Sequence, residues 1–156
     1  MTKKNEVGFT LIELLLVVSI VSIVASIAVP NLLASRKVAY EAQVISNLRS
    51  IASANTVYLA TNGGGNSYAS SLANLRAAKL LDARWGGTPI INGYTYFYYT
   101  GNTNRGFCMK AAFGSSSNFG SHSYSISHLG VIYKLADGLP PACDAVTGSI
   151  TTGVPL

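Results

Sequence analysis

Few side chains in this sequence are of types that do chemistry, and their spacing limits what each can do. His122 and His128 lie beside serines in a predicted hairpin region, His122 just before and His128 within the segment 123–135. A Ser-His-Asp hydrolase would need its serine on a sharp strand-to-helix turn, and no G-x-S-x-G sequence surrounds any serine here. The two histidines therefore read as surface residues. Asp137 and Asp144 share the C-terminal tail but lack the oxygen-rich spacing of a calcium loop, so no metal is expected. Cys108 and Cys143 belong to no CxxC or Cys/His pattern, which argues against zinc. No catalytic residue and no cofactor is expected, and the chain does not read as an enzyme. The remaining group is Glu13. Between Phe9 and Ser35 it is the sole ionisable side chain. A carboxylate inside so apolar a run is by default a functional group whose partner must be found.

The bulk composition agrees with a division into two parts. Charged residues make up 11% of the 156-residue chain and apolar residues 49%, against a usual charged share of about 25%. Residues 9–35 account for much of the deficit, and the remainder is a Gly-, Ser-, Asn- and Tyr-rich globular sequence. The net charge of +5 is dilute, with no Lys/Arg run longer than two. It serves solubility and weak attraction to acidic surfaces, and it lacks the clustering of a nucleic-acid footprint. Outside the cytoplasm, Cys108 and Cys143 would form a disulfide; in a reducing compartment they would be two buried thiols. Closing so long a loop would stabilise the fold by roughly 3–4 kcal/mol on the chain-entropy model.

These groups need elements to hold them. A helix over 9–35 would be about 40 Å long, more than the ~30 Å hydrocarbon core of a bilayer. A secretory signal peptide would explain Lys3, Lys4 and the Ser26-Ile-Ala28 triplet, but not the length of the run or Glu13. A plain single-pass anchor explains the length but not the carboxylate. Flanking charge does not orient the span, because Lys3 and Lys4 face Arg36 and Lys37. Ser19, Ser22 and Ser26 form one small face, which would allow close helix approach or satisfy carbonyls of their own helix. Pro30 should kink the rod.

The helical pattern continues to about Thr61, with Val38, Ala42, Ile45, Leu48, Ala52, Val57 and Leu59 as an apolar stripe. Lys37, Glu41, Arg49 and Ser53 fall on its other faces. Three consecutive glycines in 62–66 end the helix. They lack the Lys-Ser/Thr and preceding strand of a phosphate-binding loop. Residues 70–82 predict a short helix with Leu72, Leu75 and Leu80 inward, and 84–93 a loop. The run 94–100, "YTYFYYT", is a strand with Tyr94, Tyr96 and Tyr98 on one face and Thr95, Phe97 and Tyr99 on the other. Residues 106–113 form a second strand, and 123–135 two more around a turn near His128 and Gly130. The Pro/Gly-rich tail lacks periodicity and needs Cys143 to hold it. Helix first, then an antiparallel meander, gives an α+β class.

The stretch 8–36, "GFTLIELLLVVSIVSIVASIAVPNLLASR", resembles the N-terminus of the type IV pilin and type II pseudopilin superfamily. That resemblance implies a pilin-like fold, a long N-terminal helix packed at its C-terminal half against an antiparallel sheet. It implies a leader over 1–8, cut between Gly8 and Phe9 by the prepilin peptidase, and N-methylation of the new Phe9 amine. Residues 9–35 would be the transmembrane and assembly half of the helix, and 36–156 the globular head. Glu13 would pair with the Phe9 amine of a neighbouring subunit, and would fix axial register between greasy helices as a buried polar residue does in a coiled coil. The alternative is a carboxylate that snorkels to the nearby interface. The family further implies a major pilin in a surface fibre for adhesion, motility or DNA uptake. Its partners would be copies of itself in a helical filament, the peptidase, an inner-membrane assembly platform and, before assembly, membrane lipid, with no specific nucleic acid. The precursor would sit in the bacterial inner membrane and the product outside the cell. A pseudopilin in a short periplasmic filament of a type II secretion system is one alternative, and a minor adhesive or DNA-binding tip pilin another. The paired cysteines near the C-terminus resemble pilins more than the calcium-loop pseudopilins.

Overall fold

From Leu11 to Thr61 only Pro30 is a strong helix breaker, and the computed structural model forms one helix, α1, over Leu11–Thr61. The structure describes residues 8–114, 119–135, 139–144 and 147–156. Residues 1–7 of the expected leader 1–8 and Asp137 lie outside the described residues. The chain divides into two compact units, the first ending at Ser35 and the second spanning Arg36–Leu156; α1 contributes to both.

In the second unit, α1 is followed by α2 (Leu72–Ala77), a 3-10 turn at Ala83–Trp85, and strands β1 (Ile90–Ile91), β2 (Tyr94–Thr100), β3 (Phe107–Phe113), β4 (Ser123–Ser127), β5 (Ile132–Leu135) and β6 (Val154–Pro155). The strands form one antiparallel sheet in the order β1-β2-β3-β4-β5-β6. The class is α+β, as the sequence predicts.

Three boundaries differ from expectation, each for a local reason. The second helix stops at Ala77, not at residue 82. Lys79 adopts a left-handed φ of 60°, and the Lys79 and Leu80 N–H groups donate back to the carbonyls of Arg76 and Leu75. That paired closure is a Schellman motif, which satisfies the orphan carbonyls of the last turn. The expected loop at 84–93 contains β1, joined to β2 by Asn92 (φ 52°) and Gly93 (φ 77°). Both residues sit at positive φ, as a type I′ hairpin turn requires, and the Asn-Gly pair was its signal. The tail contributes β6 and a bridge between Cys143 and Ile150.

The core lies between α1 and one face of the sheet. Val44, Leu48 and Ile51 of α1 pack with Leu75, Trp85, Tyr94, Tyr96, Met109 and Ile126 in a single apolar cluster. The expected helix stripe holds in its middle, where Leu48 is buried and Ile45 and Ala52 pack against the core, and fails at its ends. Val38 and Val57 are exposed, whereas Asn47 and Asn55 are buried. Polar residues are tolerated there because the sheet's inward tyrosines meet them. The Asn47 amide donates to the Tyr96 hydroxyl at 3.0 Å, and the Tyr98 hydroxyl donates to Asn55 Oδ1 at 2.9 Å and Ala69 O at 2.7 Å. β2 alternates as expected, with Tyr94 and Tyr96 buried and Phe97 and Tyr99 exposed.

β4 is buried at all five positions, because one face meets α1 and the tail covers the other. Cys108 and Cys143 are joined by a disulfide, with Cα atoms 6.1 Å apart. The Ser125 hydroxyl donates to the Pro141 carbonyl at 3.1 Å. Two crossing bonds close the tail on itself, Ala142 N–H to Thr152 Oγ1 and Thr151 N–H to Ala142 O.

Glu41 is the third polar tie between helix and sheet, where the sequence placed it on an outer face of the helix. Its Oε1 accepts the Ser121 N–H at 2.7 Å and lies 3.3 Å from His122 Nδ1, and its Oε2 accepts the Tyr124 hydroxyl at 3.0 Å. Burial alone pushes the Glu41 carboxyl up, but the bonds from Ser121, Tyr124 and His122 outweigh it and hold the carboxyl below its ordinary value. A carboxyl depressed in this way contributes stability that is fully present above its unfolded value of about 4.3. That contribution is lost as the pH falls through the folded value. Glu41→Gln should therefore lower the thermal midpoint at pH 7, with the gap from the wild type closing as the pH drops through and below about 4. A gap that stays constant into acid would contradict the assignment. For the disulfide, a soluble fragment beginning near Val38 should resist thiol alkylation until reduced, and reduction should lower its thermal midpoint by several degrees or more.

Candidate assembly site

The start of α1 is set by four residues, Thr10-Leu11-Ile12-Glu13. Leu11 is the first helical residue, which makes Thr10 the N-cap and Glu13 the third helical position. The Glu13 N–H donates to Thr10 Oγ1 at 3.3 Å. In return the Thr10 N–H and hydroxyl donate to Glu13 Oε2 at 3.1 and 2.8 Å. This is a capping box: two helix-end donors are satisfied reciprocally by two side chains. The negative charge also lies at the helix N-terminus, the end that favours it. Sequence reasoning missed this local role, although Ser/Thr-x-x-Glu/Gln before an apolar run is its signature.

The box uses one oxygen of the carboxylate. Among the described residues, Glu13 Oε1 receives no donor. Around it the unit presents apolar side chains outward: Phe9 is 81% exposed, and Leu11, Ile12, Leu16 and Val17 are also exposed. The helix is long and apolar enough to cross a membrane by length and composition. Its serines are turned inward on their own backbone, with Ser19, Ser22 and Ser26 donating to the carbonyls of Leu16, Val18 and Ile23. That arrangement is the self-satisfying one of the two sequence alternatives, and it leaves a face of methylene and Cβ surface. α1 runs unbroken through Pro30.

The other candidate residues do not come together. His122 is half-buried against Glu41 and His128 is packed beside Tyr68, with ring centroids 6.2 Å apart; neither is the free surface group expected. Asp144 lies in a tail turn, where it accepts the Thr147 hydroxyl at 2.7 Å. Among the described residues no three His, Cys, Asp or Glu side chains gather as a metal site.

Against known proteins, residues 3–29 match the prokaryotic N-terminal methylation motif. Over 72 residues the chain is 43% identical to the type IV wide pilus major component PilA4 of Thermus thermophilus, covering 46% of this chain and 53% of that protein. Over 62 residues it is 36% identical to the type II secretion system core protein G of Klebsiella michiganensis, covering 40% of this chain and 44% of the relative. The Aeromonas hydrophila protein of the same name is 34% identical over 62 residues, 40% and 43% of the two chains. The chain thus spans about half the length of the curated relatives it matches. No solved structure matches. A capped apolar helix with one carboxylate near its start thus coincides with a prokaryotic N-terminal methylation motif, in a chain similar to a type IV pilus component and to type II secretion core proteins.

Proposed function

We propose that this chain is the precursor of a type IV pilus major subunit, which polymerises through its N-terminal helix into a surface fibre. The observation that carries the reading is Glu13, one carboxylate in an apolar helix, placed just after the Gly8-Phe9 junction of a methylation motif. Cleavage between Gly8 and Phe9 by a prepilin peptidase would free an amine on Phe9, and methylation would leave it charged. In the filament that amine meets the Glu13 carboxylate of a neighbouring copy. The capping box supports the arrangement: Oε2 is engaged by Thr10, and Oε1 is left for an incoming cation. The carboxylate is thus oriented before its partner arrives. Before assembly the same helix holds the subunit in the membrane, and the head adds bulk to the fibre without catalytic chemistry.

The second reading, a type II secretion pseudopilin in a short periplasmic filament, is favoured by the likeness to the two core proteins G. The pilus reading is preferred on the higher identity to a pilus major component and on the disulfide that ties the tail to β3.

Two outcomes test the proposal. Intact mass of the membrane-extracted protein should show loss of residues 1–8 and gain of one methyl group; an N-terminus at Val29 would instead mark an ordinary signal peptide. Replacement of Glu13 separates its two roles. Glu13→Gln keeps the capping box, which accepts glutamine, but removes the charge; Glu13→Leu removes both. Both variants should insert in the membrane and fold their heads, and both should fail to make surface fibres. Wild-type fibre yield from Glu13→Gln would mean that the residue serves only as a cap.

A further inference from the structure

The backbone of β2 is paired on one side along its whole length and on the other only at its start. β1 pairs with it at Tyr94 and Thr95 alone. The direction of each remaining group follows from three bonds. The Gly114 N–H donates to Gly93 O at 3.2 Å and the Gly101 N–H donates to Gly106 O at 2.9 Å, so the odd-numbered positions exchange bonds with the β3 side. The Tyr96 N–H turns the other way, to Pro89 O at 2.9 Å. Antiparallel ladders alternate, so Tyr98 and Thr100, in phase with Tyr96, aim their N–H and C=O away from β3. Proline at 89 has no N–H to return to the Tyr96 carbonyl. The chain then turns at Gly87, with φ +63°, which removes the residue that would have paired with Tyr98. Among the described residues nothing bonds the Tyr98 or Thr100 backbone on this side.

A cleft of about 300 Å³ runs along the same edge, with Ser71, Ala73 and Thr88 opposite Tyr96 and Tyr98. The residues that line it carry no charge, so no charged side chain stands within the cleft to block a strand there. We propose that this edge binds an extended segment of another polypeptide, added antiparallel to β2 as a further strand beyond β1. Unpaired N–H and C=O groups at strand spacing recognise backbone, and side-chain positions around them set the choice of segment. A guest residue opposite Tyr98 shares its face and meets Ser71 and Ala73, so it is small. Its two neighbours emerge on the face of Phe97 and Tyr99, which are 36% and 40% exposed, and are β-branched or aromatic. The Lys110 ammonium, 4.9 Å over the Tyr99 ring, favours an acidic residue next to them. The partner is therefore an extended, neutral-to-acidic peptide segment, and the inference stands apart from the filament reading.

The test uses the full chain in detergent micelles and a fluorescent peptide, acetyl-Asp-Val-Ser-Val-Thr-amide. Binding should be saturable by anisotropy, and the Tyr98 and Thr100 amides should slow in hydrogen exchange by tenfold or more. N-methylation of the peptide's central amides should weaken binding at least tenfold, because it removes donors and leaves side chains unchanged. Ala73→Trp, at an exposed helix position lining the cleft, should weaken it to a similar extent with the circular dichroism unchanged. The exchange and N-methylation readings use the wild-type chain and decide the matter even where that variant misfolds. Equal binding of the N-methylated peptide would mean side-chain stacking instead of strand addition and would overturn the proposal. So would protection confined to other amides, or no saturable binding.

Discussion

A polar group taken out of water must find a partner, and the cost of leaving it alone is what organises this molecule. The constraint would be sharpest at Glu13 once the proposed membrane or filament surrounds the apolar run 9–35, in which it is the sole ionisable side chain. The fold resolves half of the problem locally. Thr10 supplies two donors to one carboxylate oxygen, which fixes the helix start and the direction of the charge. Among the described residues the second oxygen has no donor. A chain that leaves this oxygen open at the end of a greasy helix is suited to meeting a cation from outside, and the proposed Phe9 amine of a second copy is such a cation.

The same rule explains how helix and sheet are held in the second unit. Apolar packing there is ordinary in kind, but three polar ties fix which way the sheet lies on α1. Asn47 meets Tyr96, Asn55 meets Tyr98, and Glu41 gathers Ser121, His122 and Tyr124. Each tie joins a helix residue to a side chain or loop far away in sequence, so a slip of register would strand several buried groups at once. Apolar contacts alone tolerate such slips better. Among the described residues the rule is not met at the buried Nδ1 of His128, at the β2 edge and at Glu13 Oε1, and the last two lie on surfaces placed to meet another molecule.

How much of this was legible in the sequence depended on whether the signal was local. The length of α1, the β2 alternation and the α+β order come from periodicity, which is written along the chain. The capping box and the Asn92-Gly93 turn are written just as locally, in Thr10-x-x-Glu13 before an apolar run and in the Asn-Gly pair. The helix face buried by the sheet was legible only in its middle, at Ile45, Leu48 and Ala52. An apolar stripe through Val38 and Val57 fits the pattern as well as the true face does. Asn47 and Asn55 become core residues only once tyrosines some fifty positions later supply partners. Glu41 was hidden for the same reason, since its three partners lie beyond residue 120. Proposals about processing and pairing rested on the resemblance of 8–36, and the methylation-motif match to residues 3–29 supports that reading of the N-terminus.

The pairing of Glu13 with a neighbour's amine is open to a direct chemical measurement. Fibres assembled from a mixture of ¹⁴N- and ¹⁵N-labelled chains can be treated with a carbodiimide, which joins a carboxylate to an amine only where the two already touch. Digestion and mass spectrometry then report which chains each cross-link unites. The account predicts an amide between Glu13 and Phe9 that carries both isotopes, since its two ends come from different subunits. A cross-link found only within single-isotope chains, or none at Glu13 in intact fibres, would contradict it.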